Sequence, residues 1–581
     1  TEQPDYNPWI AERMWIPHWD GQPAYITPPL SNYSVGPSGF KYNPGTSING
    51  AYKRHFFLAQ FPVNKITAFQ VQPKGASFEM TGEHVFLSGM MASALNFSPS
   101  GAMFIADWDG MWSPNEKGAI YKLDDPRETG SPIRREVRRL LKDGVKSRPL
   151  PELRELLGHE DMRIRQLAQF EIVRRADATP LLATAIDTAA PQLARVHALW
   201  GLAQLKPKGS VSKIPFRDPD AEIRAQTARL AGELGDTAAT TALLTLLSDP
   251  SPRVQFHAAM SLGKLHARTA FDPIVRMLDA NRNQDAFIRH ATVMALVGIG
   301  DVEALSGLTS HPSNHVRAGA VVALRRLQSP ALTRYLHDPN LWVRREAVRA
   351  IHDDFSVPEA LPELAALLDE PDLPDDEVIV RRAISANLRL GTEQNALRLV
   401  RFSLDPSPSE PMRIEALESL GAWNRTPYVD RVEGRIRTVP MRHPTLGDEL
   451  IQKNLGNLLQ TPIPSLTEAL TRILTRNGVE TDPSVFADWV AAPLQPVSLR
   501  IQSLRLLAKL KADQLDGAVQ SALTAEPVAL RQAGLEVMAD SQPESFARYI
   551  QSPTPFSIPE LQTAVRLAAR TRQAEPFLLL N

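Results

Sequence analysis

Asp338-Pro339-Asn340-Leu341-Trp342-Val343-Arg344-Arg345-Glu346-Ala347 is the stretch on which the fold turns. An Asp-Pro turn leads into a run of helical spacing. In it an aliphatic residue is followed by arginine and, three positions later, by a small residue. The same core returns along the chain as Ile164-Arg165 with Ala168, Ala194-Arg195 with Ala198, Ile223-Arg224 with Thr227, and Val254-Gln255 with Ala258. It continues as Ile288-Arg289 with Thr292, Val316-Arg317 with Ala320, Val380-Arg381, and Met412-Arg413 with Ala416. Late copies are Leu499-Arg500 with Ser503 and Leu530-Arg531 with Gly534. Most successive aliphatic positions lie 27 to 37 residues apart, room for one short helix pair per unit.

The residue types explain the pattern. A small residue on the second helix of a pair lets neighbouring helices approach, and flanking Leu, Ile and Val fill the seam. Asp218-Pro219, Asp249-Pro250, His311-Pro312, Asp338-Pro339 and Asp405-Pro406 stand just before this helix. There the Asp is expected to cap the helix and the Pro to occupy its first turn. One such pair cannot bury its apolar side alone, so the units are expected to stack. The pattern resembles HEAT repeats, especially the short form, and predicts an α-solenoid from about Pro132 onward. The recurrent Arg165, Arg195, Arg224, Arg289, Arg317, Arg344, Arg381 and Arg413 are expected to stitch one unit to the next. A ligand would need only a few copies of them.

Between Arg413 and Arg500 the pattern fades over a gap wide enough for about three units. Asp448 to Leu459 and Ser465 to Thr475 still read as amphipathic helices. Tyr428 to Pro444, rich in Arg, Pro and Val, reads as an insertion without an assigned role.

Before residue 130 the composition differs, with dense aromatics, Gly, Pro and Asn. Strands are predicted at Gly39–Tyr42, His55–Phe61, Ile66–Gln72, Ser77–Thr81 and Val85–Ser88, then at Ala94–Ser98, Ala102–Asp107 and Ala119–Leu123. Asn43-Pro44-Gly45, Pro73-Lys74-Gly75 and Ser98-Pro99-Ser100-Gly101 supply turns. The parse is one complete four-stranded antiparallel blade and three strands of another: a partial β-propeller of about two blades. A closed ring needs about four to eight blades. Either the remaining blades precede Thr1, which the non-Met start favours, or these strands pack directly on the first helices. The domains expected are 1–32, a loop-rich aromatic lead-in; 33–127, the partial propeller; 132–427, the HEAT-type solenoid; and 428–581, further helical repeats. The fold class is mainly α.

Composition narrows the function. The chain has 581 residues, more than one core sustains, and 64 Lys+Arg against 65 Asp+Glu. That balance argues against a general nucleic-acid or anionic-membrane binder. With no cysteine, the chain cannot form disulfides, thiolate nucleophiles or a covalent c-type haem link. No apolar run of 18 residues offers a membrane span.

The N-terminal motifs carry a resemblance. Asn7-Pro8-Trp9, Trp15-Ile16-Pro17-His18, Gly21-Gln22-Pro23-Ala24-Tyr25-Ile26 and Pro28-Pro29 come first. Gly36-Pro37-Ser38-Gly39-Phe40, Tyr42-Asn43-Pro44-Gly45-Thr46, His55-Phe56-Phe57-Leu58 and Lys74-Gly75-Ala76-Ser77-Phe78-Glu79 follow, with Ala106-Asp107-Trp108 and Gly118-Ala119-Ile120-Tyr121 last. The chain resembles the membrane-bound dehydrogenase-like, PVC-type haem-binding proteins of planctomycetes and verrucomicrobia. In that family a propeller similar to glucose/sorbosone dehydrogenase precedes HEAT repeats and a cytochrome c domain with a Cys-x-x-Cys-His motif. The resemblance implies an internal fragment of a periplasmic or extracellular oxidoreductase acting on a sugar or polyol. Haem c would sit in a domain absent here, and pyrroloquinoline quinone with calcium in the full propeller. This chain itself is expected to bind no cofactor, to be inactive alone, and to act as a scaffold. Its partner would be another protein or the rest of its own polypeptide, with a carbohydrate substrate. A second hypothesis is a non-catalytic scaffold that binds protein or polysaccharide.

Candidate ligand-lining residues are few. His18 and Trp19, in a loop rich in aromatics, could line a sugar or cofactor pocket, since aromatic faces stack on sugar rings. Asp107, at a strand end beside Trp108, could bind calcium or a polar substrate. Trp9, Trp15, Trp19, Tyr25 and Tyr33 read as a packing cluster. His311 and His315, four apart, have metal-compatible spacing but lie across a turn.

Overall fold

The computed structural model describes residues 7–14, 27–31, 36–108, 117–206, 216–353, 357–425, 428–460, 463–479, 482–552 and 555–570. The chain divides into two compact units, residues 16–347 and residues 1–15 with 348–581. The division falls inside the helix Leu341–His352.

In the 16–347 unit, strands β1 (Pro37–Tyr42), β2 (Phe56–Gln60), β3 (Lys65–Lys74) and β4 (Ser77–Ser88) form one antiparallel sheet in that order. Strands β5 (Ala92–Phe97), β6 (Met103–Trp108) and β7 (Gly118–Leu123) form a second. The division into four strands and three matches the sequence parse. One detail differs: Ser77–Thr81 and Val85–Ser88 are one strand. Gly82, at φ +60°, sits in a register shift where Ala68 faces His84 and Gln70 faces Thr81. The glycine therefore bulges the strand and does not end it.

The sheets share a core. Phe57, Ala59, Ile66 and Ala68 meet Leu95, Phe97, Met103 and Ile105, and the Phe57 and Phe97 rings lie 5.8 Å apart, edge to face. A Cβ at Gly39 would stand 3.2 Å from the Ala94 Cα, so strand β1 runs hard against β5.

The sheets also pack directly on the first helices. Arg134, buried on the helix Pro132–Asp143, donates to the Thr46 and Ile48 carbonyls and pairs with Asp124 at 2.7 Å. Thr46 donates its hydroxyl to Asp161, and Arg163 reaches the Ser98 carbonyl at 2.7 Å. The tip of the β3–β4 hairpin touches later repeats. The Ala76 N–H donates to Asp285 at 2.8 Å, and Arg253 lies over the Phe78 ring at 5.1 Å.

The helices come in short pairs. Second helices of successive pairs, Met162–Arg174, Gln192–Leu205, Ala221–Leu234, Pro252–Lys264, Ala286–Ile299 and Asn314–Arg326, pack side by side. Ala168, Ala198, Thr227, Ala258, Thr292 and Ala320 are fully buried. The Asp-Pro turns differ from expectation. Asp220 and Ser251 occupy the N-cap positions, two residues after Asp218 and Asp249, and both prolines precede the helix. Asp218, Asp249 and Asp338 instead accept the N–H two residues on, each making an Asx turn.

The other unit continues the pairs through Glu377–Leu390, Glu410–Gly421, Pro464–Asn477, Val497–Leu510, Val528–Ser541 and Ile558–Arg570 as second helices. Between Glu410–Gly421 and Val497–Leu510 stands one second helix, Pro464–Asn477, where the gap in the pattern suggested about three units. The insertion takes up the difference. It holds a small two-stranded hairpin, β8 (Tyr428–Val429) and β9 (Ile436–Arg437).

Candidate functional site

In the unit of residues 1–15 and 348–581, the insertion sends two carboxylates into the helices. Asp430 is fully buried, and Arg389 donates to its Oδ2 from Nε at 3.0 Å and from Nη2 at 2.7 Å. Arg389 also reaches Glu433 at 3.2 Å and the His352 carbonyl at 2.7 Å. Arg382, also fully buried, grips Asp353 through Nε at 2.8 Å and Nη2 at 2.9 Å. Its outer edge holds Glu12 at 2.8 Å, and Arg349 holds the same carboxylate at 2.8 Å. Asn7 caps the short helix Pro8–Ala11 and donates its amide to the Glu433 carbonyl, while the Trp9 N–H donates to Val432. The Asn7-Pro8-Trp9 motif thus docks on the insertion.

Charge compensation holds this core together. Burial works against the ionised forms of Asp353 and Asp430. Arg382 outweighs it at Asp353; at Asp430, the adjacent His352, Arg389 and the Glu433 N–H do so. Both carboxyls stay well below the usual range. Burial, reinforced by Arg389, pushes His352 down, so its imidazole is neutral near pH 7. His352 Nδ1 bonds Asp353 at 2.8 Å, and Nε2 has no hydrogen-bond partner among the described residues. The Ser385 hydroxyl donates to Asp430, not to the imidazole. A nucleophile–base pair is therefore not assembled, and the arrangement can join distant segments.

The residues proposed from sequence are scattered. His18 and Trp19 lie outside the described residues. Asp107 and Trp108 end β6. Asp107 has one buried carboxylate oxygen without a partner, and Trp108 meets Phe61 edge-on at 6.4 Å. Among the described residues, no three His, Asp or Glu side chains gather to hold a metal. His311 Nδ1 accepts the Ser313 N–H, whereas His315 faces Trp342.

The repeated arginines make similar contacts. Arg165 donates to the carbonyls of His159 and Glu160 in the turn before its helix. Arg224 and Arg317 do the same with Asp218 and His311, and each also clamps the aspartate of the next turn, Asp249 at 2.8 Å and Asp338 at 2.7 Å. Arg195 joins the Ala185 carbonyl to Asp218. Arg289 reaches Asn283, Arg413 reaches the Ser403 carbonyl, and Arg381 bridges Glu377 and Glu415. Arg344 lies half-buried on Leu341–His352.

Two clefts matter among the described residues. One, of about 1,040 Å³, lies along Pro464–Asn477, Val497–Leu510 and Val528–Ser541. Two of its arginines are paired, Arg472 with Glu418 at 3.1 Å and Arg505 with Glu536 at 3.0 Å. The second, of about 420 Å³, is lined by Phe170, Trp200 and glutamines of the early repeats. No sequence motif singles out Phe170 or Trp200, which lie on separate helices, Met162–Arg174 and Gln192–Leu205.

A family model of HEAT repeats matches residues 210–297 and 302–389. No curated protein matches the chain. Among solved structures, the complex of CpcE and CpcF of phycocyanin lyase from Nostoc is similar at 20% identity over 44% of this chain and 91% of that one, with a TM-score of 0.20. Human deoxyhypusine hydroxylase is similar at 18% identity over 54% and 100%, TM-score 0.19. Yeast importin-β is similar at 11% identity over 78% and 76%, TM-score 0.32. The chain is mainly α: HEAT repeats forming an α-solenoid, preceded by two small antiparallel sheets of seven strands.

Proposed function

We propose that this chain is the scaffold region of a propeller–HEAT protein of the dehydrogenase-like, haem-linked type, presenting bound partners and not carrying out the chemistry. The observation that supports it most is the anchoring of both sheets on the first repeats through Arg134, Thr46 and Arg163. A sheet pair fixed in this way serves as a rigid base for a larger sheet assembly, and successive repeats offer binding surface. The motifs of residues 7–121 support the family assignment. In that reading the parent protein is periplasmic or extracellular and oxidises a sugar or polyol.

The residues of this chain do not fit the redox groups the family implies. A c-type haem needs cysteines, of which there are none. Asp107, whose Oδ1 is buried without a partner, belongs to no group of three or more His, Asp or Glu side chains among the described residues. No step of an oxidation is assigned to these residues. Arg195, Arg224, Arg317 and Arg381 stitch one unit to the next, whereas Arg165 and Arg413 hold the turn or helix end within their own unit.

The purified chain, supplied with pyrroloquinoline quinone, calcium and glucose or sorbitol, is expected to reduce no artificial dye acceptor. Sustained turnover under those conditions overturns the scaffold assignment.

A further inference from the structure

The cleft across Met162–Arg174, Gln192–Leu205 and Ala221–Leu234 combines features that the stacking of repeats does not require. Phe170 is 51% exposed and Trp200 is 39% exposed, and both line the same 420 Å³ space. Isolated exposed aromatics are ordinary, but two on one cleft over a buried polar floor are not.

That floor is fixed. Gln169 and His197 are each only 3% exposed. His197 Nδ1 and Gln169 Oε1 stand 2.7 Å apart, and the Gln169 amide donates to Gln204 Oε1 at 3.1 Å. Burial, with the nearby Arg165 charge, pushes His197 down to about 4, so the imidazole is neutral at pH 7. With the proton on Nδ1, the relay runs from His197 to Gln169 to Gln204. It leaves the exposed Gln204 to present its own N–H groups to the cleft.

Trp200 is equally pinned. Its indole N–H donates to Gln226 at 3.0 Å, Gln226 donates to Glu222 at 2.7 Å, and the His197 ring meets it edge-on at 5.1 Å. A ring already held in place loses little freedom when a ligand stacks on it. At the rim Arg229 and Glu233 pair at 2.7 Å, so their charges cancel.

We propose that this cleft is a carbohydrate subsite for one or two neutral pyranose units. A pyranose has an apolar C–H face for an aromatic ring and hydroxyls at its edge for amide and guanidinium donors. The paired rim charges give no net charge to select an ion. The volume is within the range of small-ligand sites, about 300–1,000 Å³. An extended peptide advances about 3.3 Å per residue and needs regularly spaced main-chain partners, whereas here the buried relay ends on one side chain, Gln204. The proposal is independent of the dehydrogenase-like assignment, and the outcome of the dye assay leaves it unaffected.

The test is saturation-transfer NMR on the full chain with maltose and with cellobiose. The expected result is transfer to ring C–H protons of at least one disaccharide. Trp200→Ala and Phe170→Ala should each lower it at least tenfold while circular dichroism shows the helices intact, and Trp200→Phe should recover part of it. No transfer in the parent chain, or undiminished transfer in both alanine variants, overturns the subsite. So does a neutral glutamine- and proline-rich peptide that quenches Trp200 fluorescence where the sugars do not, since the cleft is then a peptide groove.

Discussion

At the scale of single residues, stability depends on charges that are buried and matched. Arg382 is fully buried between Asp353 and Glu12. Removing one partner from such a set leaves the others desolvated and uncompensated, which costs about 3–5 kcal/mol. Arg382→Met should lower the stability of its unit by that amount in urea unfolding. Arg382→Met combined with Asp353→Leu should recover a substantial part, because an apolar pair then replaces the ions. A loss below about 1 kcal/mol in the single variant would show that solvent reaches the site. Histidines of the other unit set a pH dependence. Burial, with Arg165, holds His197 at about 4; burial, with Arg253, holds His257 at about 3. Between those values and the ordinary 6.5, the unfolded chain binds more protons than the folded one. Stability therefore rises with pH across this window and falls on acidification from 6.5 toward 4. His257→Leu should flatten the Tm profile there. An unchanged slope would place the acid sensitivity elsewhere.

At the scale of elements, the close approach of second helices is set by glycine. A Cβ on Gly298 would lie 2.3 Å from the Gly263 carbonyl oxygen, and one on Gly263 would lie 2.7 Å from the Ala295 Cα. Alanine normally stabilises a helix interior by about 1 kcal/mol over glycine. Here the sign should reverse, with Gly298→Ala lowering Tm because backbone cannot move aside. A higher Tm would mean that the two helices separate freely. The same local logic explains how much was legible in the sequence. Arg224, Thr227 and Asp249 recur at fixed offsets, so the repeats announced themselves. Gly82 looked like a strand end because a bulge and a turn ask for the same positive φ. The insertion was opaque for a different reason. Asp430 and Glu433 acquire their role from Arg389, about 40 residues earlier, and from Asn7, more than 400 residues earlier. No local pattern marks a partner at such a distance. Phe170 and Trp200 sit on different repeats and off the buried stripes of their helices, so no local motif joins them, and only the structure brings them to one cleft.

At the scale of the whole molecule, one unit is closed by the beginning of the chain. Glu12 meets Arg382 across 370 positions, and Asn7 meets Glu433 across 426. Contacts of this separation must offset the entropy of closing a long loop. The segment Asn7–Met14 docks on Arg349 and Arg382, which the helices Leu341–His352 and Glu377–Leu390 carry. Deleting residues 1–14 should lower the Tm of this unit, because Arg382 and Arg349 both lose the Glu12 carboxylate. A synthetic peptide of residues 4–15 added in trans should restore part of the loss in a concentration-dependent way, since it binds the folded form alone. The same peptide carrying Glu12→Gln should restore much less, because its amide would face two guanidinium groups with no charge to offer. Equal rescue by both peptides would mean that Trp9 and Asn7, through Val432 and Glu433, hold the segment without help from the ion pair.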